Sequence, residues 1–233
     1  MQISIIIPVY HEEKNIEKVL KQIKSEVKTP HETLIVYDTK RDPTFHTVTQ
    51  LSNKYKNTKL VRNNIGSKKG VVNAIKTGIS QSKGEVVVIV MADLSDEISA
   101  IDKMFGLIQQ GYDIIAASRY IQGGKKVGGP ILKTYLSKVA GLSLHYIFKI
   151  PTRDATNAYK MYRKSIFRDI RIESTGGFEY SLEIVLKAYN KGYKITEIPT
   201  IWYDRMEGKS NFKLIKWLPK YIKTYLLVFK KNE

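Results

Sequence analysis

The chain has 233 residues, 42% of them hydrophobic, which suits one α/β domain with a short appendage. Its 39 basic residues against 22 acidic ones leave a net charge of +17, a field that draws nucleotides, phosphates, anionic lipids or nucleic acid without choosing among them. The lack of cysteine excludes disulfides and thiolate metal sites and fits a reducing compartment.

In chain order, Ile3 to Val9 is a β-rich apolar run, and Ile16, Val19, Leu20, Ile23 and Val27 recur at helical spacing. Thr33 to Val36 reads as a strand, Pro43 to Lys56 as a helix and Lys59 to Arg62 as a short strand. Val71, Ala74, Ile75 and Ile79 mark one face of a helix. Glu85 to Met91 (EVVVIVM) has the near-continuous apolar character of a strand covered on both faces. Ile101, Met104, Phe105 and Ile108 predict another helix, and Tyr112 to Ser118 another strand. This alternation predicts a mostly parallel, Rossmann-like sheet with helices on both sides. Beyond it, Gly123 to Gly129 reads as a flexible loop, Ile131 to Phe148 as a helix apolar on nearly every side, and Phe178 to Tyr189 as a helical stripe. Lys194 to Pro199 is a strand, and Phe212 to Lys230 is aromatic and basic. No apolar run reaches the roughly 20 residues of a spanning helix. The first residues lack the basic lead and small-residue cleavage site of a secretory signal. The expectation is a cytoplasmic protein, soluble or peripheral on the cytoplasmic face of a membrane.

Ligands of open α/β sheets bind beyond the carboxyl ends of the strands. Three such ends carry polar residues: Pro8 to Glu12, Tyr37-Asp38, and Met91-Ala92-Asp93. A carboxylate at the tip of a buried strand costs desolvation unless a cation or donor meets it, and a divalent metal bridging to a diphosphate is one such partner. The competing reading is that Asp93 and Asp96 cap the next helix, LSDEI being a good helix start. Asp38 has a similar alternative as a turn residue before Pro43. With the basic turn Lys68-Lys69-Gly70, which opens a helix whose N–H groups can hold phosphate, these ends make a coherent nucleotide pocket, although a solvated loop is the preferred reading of Lys68 and Lys69 themselves.

The ordered set IIIPVYHEEKNI, IVYDTKRDPT, VVVIVMADLSDE, YDIIAASRYIQGG, TRDATNAYKMYRKSIF, GGFEYSLEIVLKA and ITEIPTIWYDRMEGKSNF resembles the family-2 glycosyltransferases over residues 1–212. Within them it is most similar to the dolichyl-phosphate mannose synthases and their polyprenyl-phosphate relatives. The resemblance implies a GT-A fold and inverting transfer of a hexose, mannose for choice, from a nucleotide sugar to a lipid phosphate. GDP-mannose is the favoured donor and a UDP-sugar the alternative. By the resemblance, Pro8, Tyr10, Glu12 and Asp38 hold the nucleotide, and Asp93 binds Mg²⁺ or Mn²⁺ and the diphosphate. Arg119, Lys133, Ser137 and Arg205 surround the lipid phosphate or the donor diphosphate, with Asp93, Arg119 and Arg205 the catalytic set. Relatives usually carry Arg at the position of Lys133. Asp154 and Thr156 match a motif near the acceptor site, and Glu179 and Glu183 match the Gly-Phe-Glu segment. Three residues depart from the pattern: Met91 replaces the first Asp of Asp-x-Asp, His11 the usual Asn, and Tyr37 the first of two paired aspartates. One carboxylate plus substrate phosphates can still hold Mg²⁺, with lower affinity.

A lipid monophosphate acceptor needs no general base, being largely dianionic at pH 7. A sugar hydroxyl does, and Asp96, Glu97 and Glu179 are the candidates. Lys213, Lys216, Lys220 and Lys223 recur on one helical face among Leu214, Leu218, Tyr221, Ile222, Tyr225 and Phe229, with Pro219 a kink or a new start. Residues 1–211 are thus expected to form the transferase domain and 212–233 a basic amphipathic helix at a membrane interface. Ile131 to Phe148 is a second candidate for such contact, the alternative for both being packing on the domain or a partner subunit. Three rival functions stand beside this reading: a family-2 transferase that elongates a saccharide, a basic nucleic-acid-binding protein, and a nucleotidyltransferase of similar sheet topology, for which the glycine-rich activating loop after the first strand is absent. The second lacks any RNP, helix-turn-helix or finger signature.

Overall fold

The computed structural model describes residues 1–65, 70–205 and 214–230. Lys68, Lys69, Phe212 and Lys213, and the side chains of Leu214 and Lys216, lie outside that description.

The first strand, β1 (Ile3–Val9), is buried at every position. It pairs in parallel with β2 (His31–Tyr37) on one side and β4 (Val86–Ile89) on the other. Beyond β2 lies β3 (Thr58–Arg62). The rest of the sheet is β5 (Ile114–Ser118), β7 (Lys160–Arg163) and β8 (Ile195–Pro199), in the order β3-β2-β1-β4-β7-β5-β8. Only β7 runs antiparallel, between β4 and β5. The parallel, helix-flanked sheet agrees with the sequence expectation.

Helices α1 (Ile16–Glu26), α2 (Pro43–Leu51) and α4 (Ala100–Gln109) cover one face, where Ile5, Ile7, Val88 and Ile115 meet Leu20, Val48 and Met104. Helices α3 (Val71–Gln81), α5 (Ile131–Phe148) and α7 (Glu179–Asn190) cover the other, where Ile6, Val36 and Val87 meet Ile75, Leu144 and Leu186. With α6 (Ile166–Asp169), α8 (Leu214–Tyr225) and a 3₁₀ turn (Leu226–Phe229), the described helices are complete. Burying residues such as Ile5, Ile6 and Ile7 on both faces is the main stabilising term, at about 2 kcal/mol for each large side chain removed from water.

Several boundaries moved. The strand expected over Glu85 to Met91 runs from Val86 to Ile89, with Val90 N–H still donating to Ile6 O at 3.0 Å, and Met91 begins the turn that leads to Asp93. The helix expected to reach Lys56 ends at Leu51. The glycine-rich stretch read as a flexible loop contains β6 (Lys125–Val127), which pairs in parallel with β9 (Ile201–Tyr203) as a separate two-stranded ribbon. Helix α8 continues through Pro219 and packs against α7. Its Tyr221 and Tyr225 join the core, while Leu218, Ile222, Leu226 and Phe229 point outward.

Candidate functional site

The sheet order reverses at β1: β2 and β3 lie to one side, β4 to the other. That switch point opens a crevice at the carboxyl ends of β1 and β4. Pro8 is the last-but-one residue of β1 and is buried, and Tyr10 stands 57% exposed beyond the strand end, an open aromatic face. His11 follows with φ at 56°, its N–H donating to Asp42 at 3.1 Å. Asp42 is also the N-cap of α2, accepting from Thr44 N–H at 2.9 Å with Pro43 in the first helical position. Asp38 accepts from the Asn63 amide at 2.6 Å, and Asn63 in turn accepts from Thr77 at 3.1 Å. The residue that caps at Pro43 is therefore Asp42, and Asp38 is left to the strand end.

Asp93 is almost fully buried beyond β4. One oxygen accepts from the Ser95 hydroxyl at 2.6 Å, and the other pairs with Arg205 at 2.9 Å. The same guanidinium lies 3.7 Å from Glu12. Burial first, and then the nearby Asp93 charge, push the Glu12 carboxyl above the usual range, against a hydrogen bond from Asn15. Arg205 thus neutralises two carboxylates that come from different strands. Neither Asp93 nor Asp96 caps α4, whose N-cap is Ser99. The helix-start alternative fails for both. Asp96 turns back to accept from Met91 N–H at 2.8 Å, and burial, aided by Asp93, raises its carboxyl to about 7. Glu97 accepts from Ile201 N–H at 3.1 Å, and Tyr203 N–H donates to Ser95 at 3.3 Å. The Asp93 turn is therefore stitched to the strand that delivers Arg205.

On the other side of the crevice, Arg119 follows β5. Its guanidinium makes two bonds to Asp154, 2.7 and 2.8 Å, with a third from its own backbone N–H at 3.0 Å. Burial works against the charge, but Asp154 raises the Arg119 pKa above its ordinary value. Behind this pair, Lys160 is fully buried and donates to Ala155 O and Asn157 O and, at 2.7 Å, to Ser181 Oγ. Burial pushes its ammonium down to about 7. Lys160 so fixes the 154–157 turn that presents Asp154. Helix α5 approaches that turn closely: a Cβ on Gly141 would fall 2.0 Å from Arg153 O, so only glycine fits there.

From the first turns of α5 come Lys133 and Ser137. Ser137 Oγ lies 2.5 Å from the Tyr120 hydroxyl. Lys133 is lowered first by burial and then by the charge of Arg119. Beside them, Lys126 of the ribbon donates to Thr134 Oγ1 at 2.5 Å. Arg119, Lys126, Lys133 and Arg205 thereby form one cationic wall, in which Lys133 feels the charges of Arg119, Arg205 and Asp93. A cleft of about 640 Å³ opens beside Tyr120, lined by Ile121, Leu142, Tyr146, Lys138 and Arg153. Glu179 accepts from Gly176 and Gly177 N–H, and Glu183 from Glu173 and Ser174 N–H. Both hold the loop before α7. The site residues that the sequence reading missed are Asp42, Lys126 and Lys160.

A family model described as Glycosyl transferase family 2 matches residues 4–171. The chain belongs to glycosyl transferase family 2. Among curated relatives of this family-2 chain, a dolichol-phosphate mannosyltransferase of Pyrococcus furiosus is 30% identical over 218 residues, spanning 91% of this chain and 60% of its own. A polyprenol monophosphomannose synthase of Mycolicibacterium smegmatis is 24% identical over 228 residues, 91% of this chain and 85% of its own. The chain thus spans less than two thirds of the first of these. The fold is that of glucosyl-3-phosphoglycerate synthase from Mycobacterium tuberculosis, solved with Mn²⁺, UDP and its product: TM-score 0.73, 14% identity, all of this chain and 81% of that one. The same enzyme has been solved with Mg²⁺ and UDP. In the present chain, ligand atoms of His11, Glu13 and Asp42 lie within 4.8 Å of one another, an arrangement able to hold a metal ion.

Proposed function

We propose that this family-2 transferase moves a hexose, mannose for choice, from a nucleoside diphosphate sugar to a dolichyl or polyprenyl phosphate with inversion at the anomeric carbon. GDP-mannose is the favoured donor and a UDP-sugar the alternative. The names of both curated relatives support this acceptor class. The observation that carries it is the meeting of two strand-end carboxylates, Glu12 and Asp93, on the Arg205 guanidinium, with Lys133 held among the charges of Arg119, Arg205 and Asp93. Two anions must meet in this reaction, and the wall answers that need.

The carboxylates argue for a phosphate acceptor over a sugar hydroxyl. A hydroxyl needs a base, yet Glu97 is bound to the backbone of Ile201 and Glu179 to that of Gly176 and Gly177. Asp96 is held under the floor by Met91. A phosphate monoester is largely dianionic at pH 7 and attacks without deprotonation. Tyr10 would stack on the base, Asp38 and Glu12 would meet the ribose, and Ser137 and Lys133 would orient the acceptor phosphate. Asp93 supplies hard oxygen donors, the kind Mg²⁺ or Mn²⁺ takes, and a metal there would displace or share the oxygen that Arg205 now holds. A divalent cation at Asp93 would stabilise charge on the leaving nucleoside diphosphate.

We assign the transferase to residues 1–211 and a basic interfacial helix to 212–233. Leu218, Ile222, Leu226 and Phe229 face outward, as do Ile131, Leu132, Tyr135, Val139, Tyr146 and Ile147 of α5. Tyr225 joins the two helices through Ser143 at 2.8 Å. Exposed apolar residues on that scale mark an interaction surface, and the charge of +17 favours an anionic, cytoplasmic membrane face. Among the described residues no helix is long and apolar enough to cross a membrane.

The test is product analysis with a panel of GDP- and UDP-sugars, with and without Mg²⁺ or Mn²⁺, on polyprenyl phosphate and on oligosaccharides. Glycosyl-phosphoryl polyprenol of inverted configuration is the expected product; extension of the oligosaccharide alone would refute the acceptor. Flotation with anionic liposomes at low salt tests the interfacial helix, and absence of binding would remove it.

A further inference from the structure

The ribbon β6·β9 places a lysine in the cationic wall that neither strand-end logic nor family resemblance singled out. Lys125 and Val127 face solvent, whereas Lys126 between them turns inward. Its Nζ donates to Thr134 Oγ1 and sits 5.1 Å from the Trp202 ring centroid. The Thr134 hydroxyl donates to Pro130 O at 3.1 Å, which leaves its lone pair to the lysine. Gly129, with φ at 79°, closes the outer side: a Cβ there would lie 3.5 Å from Lys126 Nζ. The ammonium is thus held in one place, with its remaining N–H groups available.

Its electrostatic surroundings are uneven. Arg119 is satisfied by Asp154 and Arg205 by Asp93, but both contacts of Lys126 are uncharged groups. Facing it are the cations Arg119 and Lys133 and the carboxylates Asp204 and Asp154. Burial first, then repulsion from Arg119 and Lys133, depresses its ammonium to about 8. Thr134 lies next to Lys133 in α5, and Ser137 Oγ donates to Thr134 O at 3.0 Å. Lys126 therefore adjoins the two α5 residues assigned to the acceptor phosphate.

We propose that Lys126 is a specificity-determining residue of the acceptor site, the added cation that makes the cradle prefer a dianionic phosphate monoester over a monoanionic diester. The inference rests on the acceptor reading above. Among the described residues no carboxylate hydrogen-bonds to Lys126, so a second formal charge on the ligand answers this cation. A charge-assisted hydrogen bond of this kind corresponds to roughly tenfold in affinity.

The experiment is calorimetric titration of the full chain with farnesyl phosphate and with farnesyl methyl phosphate. The wild-type chain should bind the monoester roughly tenfold more tightly than the diester. Lys126→Met should lose that preference by weakening the monoester alone, and Lys126→Arg should restore it, with affinity for nucleoside diphosphate unchanged in both. Retention of the full preference by a folded Lys126→Met chain would overturn the proposal, as would an equal loss of nucleotide affinity, which would move Lys126 to the donor side. Failure of the wild-type chain to bind either farnesyl ligand, with nucleotide binding intact, would instead bring down the acceptor reading and the inference with it.

Discussion

The two halves of this crevice are built by different means. The side proposed for the donor, residues 3–93, is a run of parallel strands whose polar residues stand at strand ends: Tyr10 after β1, Asp38 after β2, Asp93 after β4. Position there comes from the buried sheet, and the side chains add little to stability. The side proposed for the acceptor, residues 114–205, is held by polar contacts between side chains and turns: Arg119 on Asp154, Lys160 under the 154–157 turn, Lys126 on Thr134. There the residues that make the site also hold the fold. Substitutions should therefore separate, with donor-side changes costing function and acceptor-side changes costing both.

The largest effect expected from this contrast belongs to Asp154→Ala. It strands the buried Arg119 guanidinium and should cost about 3–5 kcal/mol in denaturant unfolding. A loss below about 1 kcal/mol would mean that the acceptor side is not held by this pair. Next comes Asp96→Asn. A carboxyl raised from 3.8 to about 7 by burial penalises the folded state as pH rises between those values, fully so above 7. The variant should gain stability over wild type at pH 8 and show no gain near pH 3; equal differences at both would dismiss the cause. The smallest is Glu183→Gln. Burial opposes the charge of Glu183, but bonds from Lys187, Ser174 and two backbone N–H groups win and hold its carboxyl below 4.5. Its contribution, about 2 kcal/mol, is present above that value and vanishes as pH falls through the lower folded one. The variant's deficit should therefore be full at pH 7 and gone in acid.

The same contrast explains what could be read from residues alone. Strands β1, β2 and β4 are buried on both faces, so their composition is unambiguous, and the residues just past them follow directly. Strand β7 was missed because its ends are Lys160 and Arg163 and it enters the sheet antiparallel, where no βα alternation announces it. The ribbon was missed because three residues among glycines carry no period, so Lys126 looked like part of a loop. Asp42 has a readable signal, Asp-Pro-Thr at a helix start, which competes with the nearby Asp38 for the same role. Glu97 and Glu179 carry the right chemistry for a base, and only the tertiary contacts reveal that backbone N–H groups occupy them.

The central claim is that Asp93 holds a divalent cation against the donor diphosphate. Mn²⁺ binding followed by electron paramagnetic resonance, with and without nucleoside diphosphate, tests it most directly. The wild-type chain should bind Mn²⁺ in a nucleotide-dependent manner, and a folded Asp93→Ala chain should lose that binding along with roughly 10²–10³-fold in transfer. Undiminished nucleotide-dependent Mn²⁺ binding in Asp93→Ala would contradict the account and shift the metal elsewhere, with the His11, Glu13 and Asp42 group the first place to look.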